Sequence, residues 1–290
     1  EGARGALTAL LDRCYRGGVL SKVDSLKFSW GRAGGISGGF RIARSGSYLK
    51  DKIDAFKNLS ARVLSSKTLP RHVAVIPDGN RRWARSRGLA VWRGHEKGIS
   101  NFTGILEEAL RMKIPYITAW GFSTENWKRE KTEVNFLMRI FSRYLDRMEK
   151  KFMEQEIRFR HFGRKDRLPE GIVKRLSRIE AATKKFLRAN FGLALDYGGR
   201  DEIIRAVNKL NGRKGAVSEN DFSKCLDTHG FPDPDLIIRT SGEQRTSGLM
   251  PWQGAYAELY FAQIYFPDFD ALEFRKAVAE YGRRKRNFGG

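Results

Sequence analysis

The chain has 290 residues, of which 41% are hydrophobic, and a formal net charge of +22 at pH 7. This length fits one large domain or two small ones. The sequence has no apolar run of about 18 or more residues, so we predict no transmembrane helix. Its first residues lack the pattern of a secretory signal. The positive charge favours a polyanionic partner: nucleic acid, an anionic membrane surface or a phosphorylated substrate.

Residues 1–68 are rich in Gly and Ser, and they hold 13 Lys and Arg against 5 Asp and Glu. Such a composition forms a hydrophobic core poorly. We therefore predict a basic N-terminal extension that is partly helical, over 5–15 and about 49–66, or disordered. Cys14 and Cys225 have no metal-site spacing, and free thiols are typical of a reducing, cytoplasmic compartment.

From Leu69 onward, short apolar runs alternate with helical patterns. The predicted strands are 72–76, 116–122, 157–162, 191–197, 235–239 and 257–262, and the predicted helices lie near 95–112, 132–154, 169–189, 200–211, 218–226 and 270–283. Thr132 is the expected cap of the second helix. This alternation predicts an α/β fold with a central, mainly parallel, six-stranded sheet flanked by helices. Because such sheets bind ligands beyond the carboxyl ends of their strands, the residues after each run are the candidates.

The first run ends at a carboxylate, Asp78, which is followed by Gly79, Asn80, Arg81 and Arg82. Gly79 and Asn80 permit a sharp turn that presents backbone N–H groups to an anion, and Arg82 can hold a phosphate through two donors. Two interpretations of Asp78 stay open on this stretch alone. It either binds a divalent cation that bridges to phosphate oxygens, or it caps the following helix.

Later strand ends carry similar groups. Ser123, Asn126 and Arg129 follow the second run, and the stretch 238–247 after the fifth run supplies two arginines and a hydroxyl around a tight glycine turn. The second of these stretches is typical of an anion site. Glu258 opens the last run and is a second acid for a metal ion.

Six motifs carry a resemblance to a known family: HVAVIPDGNRRWA, GHEKG, GFSTENW, DYGGR, IRTSGEQRTS and AYAELYF. Their order and spacing resemble the cis-prenyltransferases, that is, the undecaprenyl diphosphate synthase and dehydrodolichyl diphosphate synthase family. The resemblance implies a catalytic domain over 69–290, with an undecaprenyl diphosphate synthase-like fold and a hydrophobic tunnel.

The implied reaction is Mg²⁺-dependent condensation of isopentenyl diphosphate with an allylic diphosphate, farnesyl or geranylgeranyl diphosphate. The implied product is a Z-polyprenyl diphosphate, a precursor of a lipid carrier of the dolichol or undecaprenol type. A short-chain cis-prenyl diphosphate is the alternative product. The helix faces of 95–112 and 132–154, with Trp120, Phe122 and Leu193, are the candidate tunnel walls.

The resemblance also implies roles for individual residues. Asp78 binds Mg²⁺, with Glu258 reaching over from a second subunit, and Ser123 and Asn126 position or deprotonate the isopentenyl substrate. The implied substrate-binding residues are Gly79, Asn80, Arg81, Arg82, Trp83, His95, Trp127, Arg129, Arg239, Arg245 and Ser247. Two positions depart from the family pattern, because Val91 and Asn287 stand where many relatives carry arginine.

Other classes fit less well. An all-α prenyl synthase needs Asp-Asp motifs that the sequence lacks, and a haloacid-dehalogenase-like phosphatase needs a second Asp at the position of Asn80. A nucleic-acid-binding protein is the alternative that the charge suggests, but the Trp and Phe residues mostly fall inside strand or helix patterns, so we predict no nucleic-acid partner. Since one chain carries both halves of the implied site, we expect a homodimer, with peripheral membrane contact through the basic extension.

Overall fold

The structure is a computed structural model, and it describes residues 69–286. The strands are β1 (His72–Ile76), β2 (Tyr116–Ser123), β3 (Ile157–Phe162), β4 (Ala189–Tyr197), β5 (Leu236–Arg239) and β6 (Glu258–Phe261). The helices are α1 (Asn80–Arg85), α2 (Val91–Arg111), α3 (Lys131–Glu154), α4 (Glu170–Thr183), α5 (Gly199–Leu210), α6 (Glu219–Ser223) and α7 (Ala271–Arg283). Within this range, none of the helices combines the length and apolar character needed to cross a bilayer. The predictions for residues 1–68 and for Asn287 lie outside the described residues.

The six strands form one sheet in the order β3-β4-β2-β1-β5-β6, and every neighbouring pair is parallel. β1 is the central example, since all five residues of HVAVI are buried. Strands that are covered on both faces have nearly continuous apolar sequences, which is why these segments could be predicted as strands. The predicted parallel six-stranded sheet is confirmed.

The helices cover the sheet through apolar faces. Helix α3 buries Leu137, Phe141 and Leu145, which join a core cluster with Phe102 of α2 and Phe191 of β4. The spacing of apolar residues predicted both helices, and the structure extends α2 toward the N-terminus, to begin at Val91.

One local prediction was wrong, and one helix was not predicted. Helix α3 begins at Lys131 and its N-cap is Glu130, so Thr132 lies inside the first turn and does not cap it. Helix α1 was missed, because a helix of six residues is too short to show a repeat of apolar positions.

The parallel arrangement separates the strand ends into two edges. Ile76, Ser123 and Arg239 end their strands at the carboxyl edge. Glu258 begins β6 and pairs with Leu236, whereas Arg239 pairs with Phe261. Glu258 therefore lies at the amino edge of the sheet, opposite Asp78 of the same chain.

Candidate active site

A cavity of about 300 Å³ opens beyond the carboxyl end of β1. The residues that line it come from the segment after β1, from α2 and from the loop after β2: Pro77, Asp78, Gly79, Asn80, Arg81, Arg82, Arg85, His95 and Arg129. Six of the predicted substrate-binding residues are therefore brought together, namely Gly79, Asn80, Arg81, Arg82, His95 and Arg129.

Asp78 is held at the rim of this cavity by three donors. The Gly79 N–H donates to Oδ1 at 2.6 Å, Arg239 Nη2 donates to Oδ2 at 2.8 Å, and Arg82 Nη2 lies 3.4 Å from Oδ1. The side chain remains 28% exposed. The N-cap of α1 is Gly79, not Asp78, so the interpretation of Asp78 as a helix cap is wrong and its carboxylate is available to a ligand.

Gly79 makes this turn possible. Its φ is +93°, and a Cβ there would lie 2.6 Å from a ring carbon of Tyr265 and 2.8 Å from Ser241 Oγ. Glycine is the residue that tolerates both the left-handed backbone and the close approach. The turn sets Asp78 and the arginines of α1 at one end of the cavity.

One acid, Glu133 of α3, lies next to two arginines and a histidine that line the cavity. Its Oε1 accepts a hydrogen bond from Arg129 Nη1 at 3.2 Å and lies 3.6 Å from His95 Nε2 and 3.9 Å from Arg81 Nε. Burial, and next the Arg129 charge, lower the pKa of His95 to about 4, so this imidazole is neutral at pH 7. Burial likewise lowers the pKa of Arg129. His95 Nε2 has no hydrogen-bond partner within residues 69–286.

Arg239 links Asp78 to the second predicted anion site. Its side chain is 7% exposed, and Nη1 donates to Ser247 Oγ at 2.6 Å and to the Arg245 carbonyl at 2.7 Å. The Arg245 guanidinium pairs with Glu243, which also accepts from Arg82 Nη1 at 2.7 Å. These two hydrogen bonds, from Arg82 first, lower the pKa of Glu243.

The loop after β2, which we call the β2 loop (Ser123–Arg129), lies beside the cavity. Asn126 Oδ1 accepts from the Ser123 N–H at 3.1 Å. Trp127 points its indole N–H into the body of the protein, where it donates to Asp196 Oδ1 at 2.8 Å. Of these residues only Arg129 is among those that line the cavity.

Glu258 and Trp83 are among the predicted site residues that do not line the cavity. Glu258 is paired at 2.7 Å with Arg284 at the amino edge, so one chain does not bring it to Asp78. Trp83 does not line the cavity, and its ring is covered by the Arg87 guanidinium, 4.6 Å from the ring centroid.

The sequence reasoning missed three charged residues: Arg85, Glu133 and Glu243. Arg85 follows Arg81 by four residues within α1. Groups four residues apart share a helix face, so this spacing was the available signal for Arg85. Val91 opens α2 and does not line the cavity, whereas Arg85 does.

The donor set suits a highly charged anion together with a hard cation. Four arginines line the cavity around one carboxylate, Asp78. Within residues 69–286, no cluster of three or more His, Cys, Asp or Glu side chains is arranged to hold a metal ion. Mg²⁺ is commonly held by one or two carboxylates plus substrate phosphates, so Asp78 fits a metal that the substrate helps to bind.

Comparison with known proteins places the chain among prenyl transferases. The family model described as putative undecaprenyl diphosphate synthase matches residues 76–289. An isoprenyl transferase of Fusobacterium nucleatum is 44% identical over 225 residues, which are 77% of this chain and 97% of that protein. Dehydrodolichyl diphosphate synthase 1 of Arabidopsis thaliana is 40% identical over 236 residues, 78% of each chain.

Two solved structures share the fold. Lavandulyl diphosphate synthase from Lavandula x intermedia, in complex with dimethylallyl diphosphate, has a TM-score of 0.75 and 38% identity, and the match covers 78% of this chain and 100% of that one. A probable undecaprenyl diphosphate synthase from Campylobacter jejuni has a TM-score of 0.66 and 32% identity, covering 76% and 99%.

Proposed function

Because this chain belongs to the undecaprenyl diphosphate synthase family of prenyl transferases, we propose that it elongates an allylic diphosphate with isopentenyl diphosphate to a Z-polyprenyl diphosphate. The observation that carries the proposal is Asp78, a partly exposed carboxylate held by Arg239 and Arg82 at the rim of an arginine-lined cavity. A partly exposed carboxylate in such surroundings suits a cation shared with phosphate oxygens.

The two diphosphates have separate binding groups in this proposal. The allylic diphosphate lies against α1 and His95, where Arg81, Arg82 and Arg85 line the cavity. Isopentenyl diphosphate binds at Arg239, Arg245 and Ser247, which are already joined by hydrogen bonds. The dimethylallyl diphosphate bound to the lavandulyl diphosphate synthase structure supports an allylic diphosphate as a substrate class for this fold.

Asp78 is the residue that would hold Mg²⁺ at this site. When bound, Mg²⁺ neutralises diphosphate charge and favours departure of the leaving diphosphate. The arginines hold the two substrates side by side, which supplies proximity and orientation. The allylic C–O bond breaks and diphosphate leaves, the isopentenyl double bond attacks that carbon, and the C2 proton passes to the released diphosphate, with Ser123 and Asn126 positioning the isopentenyl substrate.

We place the growing hydrocarbon between α2 and α3, along the sheet. The faces of these helices are apolar, and Phe122 and Leu193 lie in the same core cluster as Phe141. Side chains in this region have to move to admit a long chain. The likeness to lavandulyl diphosphate synthase supports a short-chain product as the second candidate, and product length separates the two.

A homodimer is part of the proposal, with Glu258 of one copy serving Asp78 of the other. Its support is the position of Glu258 at the opposite edge from Asp78 within one chain. Glu258→Gln is then expected to raise the Mg²⁺ concentration needed for half-maximal turnover by about 10-fold, as for a lost ligand group. An unchanged Mg²⁺ requirement in this variant would remove Glu258 from the site.

The test of the proposed function is an assay with radiolabelled isopentenyl diphosphate and either farnesyl or geranylgeranyl diphosphate, with Mg²⁺ and with excess chelator. The expected result is Mg²⁺-dependent transfer to butanol-extractable products whose new double bonds are cis. Chromatography of the dephosphorylated products gives their length. Absence of transfer with either primer would contradict the proposal.

Vesicle binding of the full chain, compared with a variant lacking 1–68, tests our further proposal that the basic extension contacts membranes.

A further inference from the structure

The central turn of the β2 loop is only partly covered by the rest of the protein. None of the residues in its central turn, Thr124–Lys128, is buried. Yet the loop leads to Arg129, whose guanidinium reaches the cavity and Glu133. The position of Arg129, Ser123 and Asn126 therefore depends on what fixes this turn to the body of the protein.

The first fixing point is Asp196, close to the carboxyl end of β4. It is 0% exposed, and its Oδ1 accepts the Trp127 indole N–H at 2.8 Å. The Arg167 guanidinium also pairs with this carboxylate. Its Nε donates to Asp196 Oδ2 at 2.9 Å, and its Nη2 donates to Asp196 Oδ1. Both carboxylate oxygens are thus satisfied, one of them by the β2 loop.

Asp196 also has an unusual backbone, with φ +53°. A left-handed conformation at a residue other than glycine costs about 1–3 kcal/mol. Residues in such a conformation are kept only where the surrounding contacts hold them in it, and they are most frequent at functional sites. The Asp196 carboxylate meets two demands in this position, since it pairs with the Arg167 guanidinium and accepts the indole N–H of Trp127.

The second fixing point is Gly198, two residues further on. A Cβ at Gly198 would lie 2.3 Å from Thr124 Oγ1 and 3.1 Å from Thr124 Cγ2. The first residue of the turn therefore packs directly on the Gly198 backbone. Two separate contacts thus seat the β2 loop on the carboxyl end of β4.

We propose that Asp196 is a positioning residue for prenyl transfer. By accepting the Trp127 N–H, it fixes the β2 loop so that Arg129, Ser123 and Asn126 meet the substrates. The inference rests on the proposed function, and it changes the part played by Trp127: the indole anchors the loop to β4 and does not supply a substrate contact through its N–H.

The test compares Trp127→Phe, Asp196→Ala and Asp196→Asn in the full chain. Trp127→Phe keeps the ring against Phe122 but removes the donor. Asp196→Ala removes the acceptor, whereas Asp196→Asn keeps an acceptor oxygen and a residue that tolerates positive φ. Trp252→Phe is the matched control, because it removes a different indole hydrogen bond, to Ser223.

Loss of position by about 1 Å costs on the order of 100-fold in rate. We expect Trp127→Phe and Asp196→Ala to lower kcat by ~10-fold to 100-fold, with a smaller change in the KM of the allylic substrate. The double variant should be no slower than the slower single variant. Asp196→Asn should recover most of the rate, and Trp252→Phe should match the wild type.

Amide hydrogen exchange in 124–129 gives a readout that does not need turnover. Exchange should be at least ~10-fold faster in Trp127→Phe and Asp196→Ala, while core strand β1 is unchanged, because the loss is local. Wild-type exchange and wild-type kcat in Trp127→Phe would overturn the inference, even if Asp196→Ala fails to fold. Absence of isopentenyl transfer by the wild type together with faster loop exchange in the variants would contradict the proposed function and leave the anchor standing.

Gly198→Ala provides an independent check through the second contact. The added methyl should displace Thr124 and lower kcat in the same range, ~10-fold or more. Gly104→Ala is its control, because a Cβ at Gly104 meets nothing within 4 Å. A Gly198→Ala variant with wild-type kcat would show that the turn is not seated on β4.

Discussion

The two edges of the sheet each hold a buried histidine, and the two histidines differ in what surrounds them. At the amino edge, His72 is 1% exposed, and its ring nitrogens lie 2.8 Å from the Pro232 carbonyl and 2.8 Å from Thr118 Oγ1. At the carboxyl edge, His95 is 8% exposed, and its Nε2 has no hydrogen-bond partner within the described residues.

The same contrast holds for other polar groups. At the amino edge, Asp235 accepts the N–H groups of Arg71 and His72 at 2.7 and 2.8 Å. At the carboxyl edge, the buried atoms Asn80 Oδ1, Arg239 Nε and Ser241 Oγ lack partners within residues 69–286. Satisfied buried groups stabilise a fold, and unsatisfied ones carry a cost that a ligand can remove. The difference indicates that the satisfied groups around His72 and Asp235 stabilise the fold, whereas the unsatisfied groups around the cavity are available to a ligand.

The largest contrast is expected between the two ends of β5. Arg239→Met removes a buried cation that holds Asp78 and belongs to the proposed isopentenyl diphosphate site, so kcat/KM should fall by about 100-fold to 1000-fold. Asp235→Asn, just before the same strand, should lower stability and leave kcat within about twofold of the wild type, since it lies away from the cavity. Steady-state kinetics and urea unfolding of both variants check this. An equal loss of kcat/KM in the two variants would contradict the difference proposed between the two ends of β5.

The histidine pair is expected to separate in the same way with smaller effects. His95→Ala removes a donor group from the cavity, and kcat/KM should fall by about 10-fold to 100-fold. His72→Ala leaves Thr118 and the Pro232 carbonyl without their partner, and the free energy of unfolding should fall by about 1–3 kcal/mol. The comparison fails if His72→Ala lowers kcat as much as His95→Ala does.

The pH dependence of stability should reflect both histidines. Burial lowers the pKa of His72 to about 4 and is the main cause of the similar value for His95. The unfolded chain therefore binds more protons than the folded chain between about pH 4 and 6.5, and stability is lost as the pH falls through that window. Urea unfolding at pH 7 and pH 5 should show a smaller loss in His72→Ala than in the wild type. An equal loss in the two proteins would argue that His72 is not buried in its neutral form.

The smallest effect is expected for an ion pair at the amino edge. Arg284 and Glu258 are 29% and 30% exposed, and pairs this exposed contribute at most about 1 kcal/mol. Arg284→Gln should therefore lower the free energy of unfolding by less than about 1 kcal/mol, measured by urea unfolding. A loss of unfolding free energy several times larger would show that the fold depends on the Arg284–Glu258 ion pair.

Much of the fold was predictable because its strands are buried on both faces. The runs at 72–76 and 157–162 were predicted with the bounds that the structure gives, β1 and β3. Helix α1 was not, since its six residues, four of them charged or aromatic, show no apolar repeat. The N-cap of α3 was also missed, because several polar residues near 130 can occupy that position and the backbone decides among them.

The site was predictable as far as it lies at strand ends. Asp78, Arg81, Arg82 and Arg129 were expected and do meet in one cavity. Glu133 was not, because it lies inside α3 and enters the site only through the way that helix packs beside the β2 loop. Asp196 was missed for a similar reason, since its function depends on a tertiary contact with Trp127.

The most direct test of the account is turnover of Asp78→Ala with radiolabelled isopentenyl diphosphate, farnesyl diphosphate and Mg²⁺. Removing the one carboxylate that this chain places on the cavity lining should lower kcat by at least ~1000-fold, since the proposed metal site loses the ligand nearest the substrates. Circular dichroism and urea unfolding of the variant should show that the fold is intact. Wild-type turnover by Asp78→Ala would contradict the assignment of this cavity as the active site.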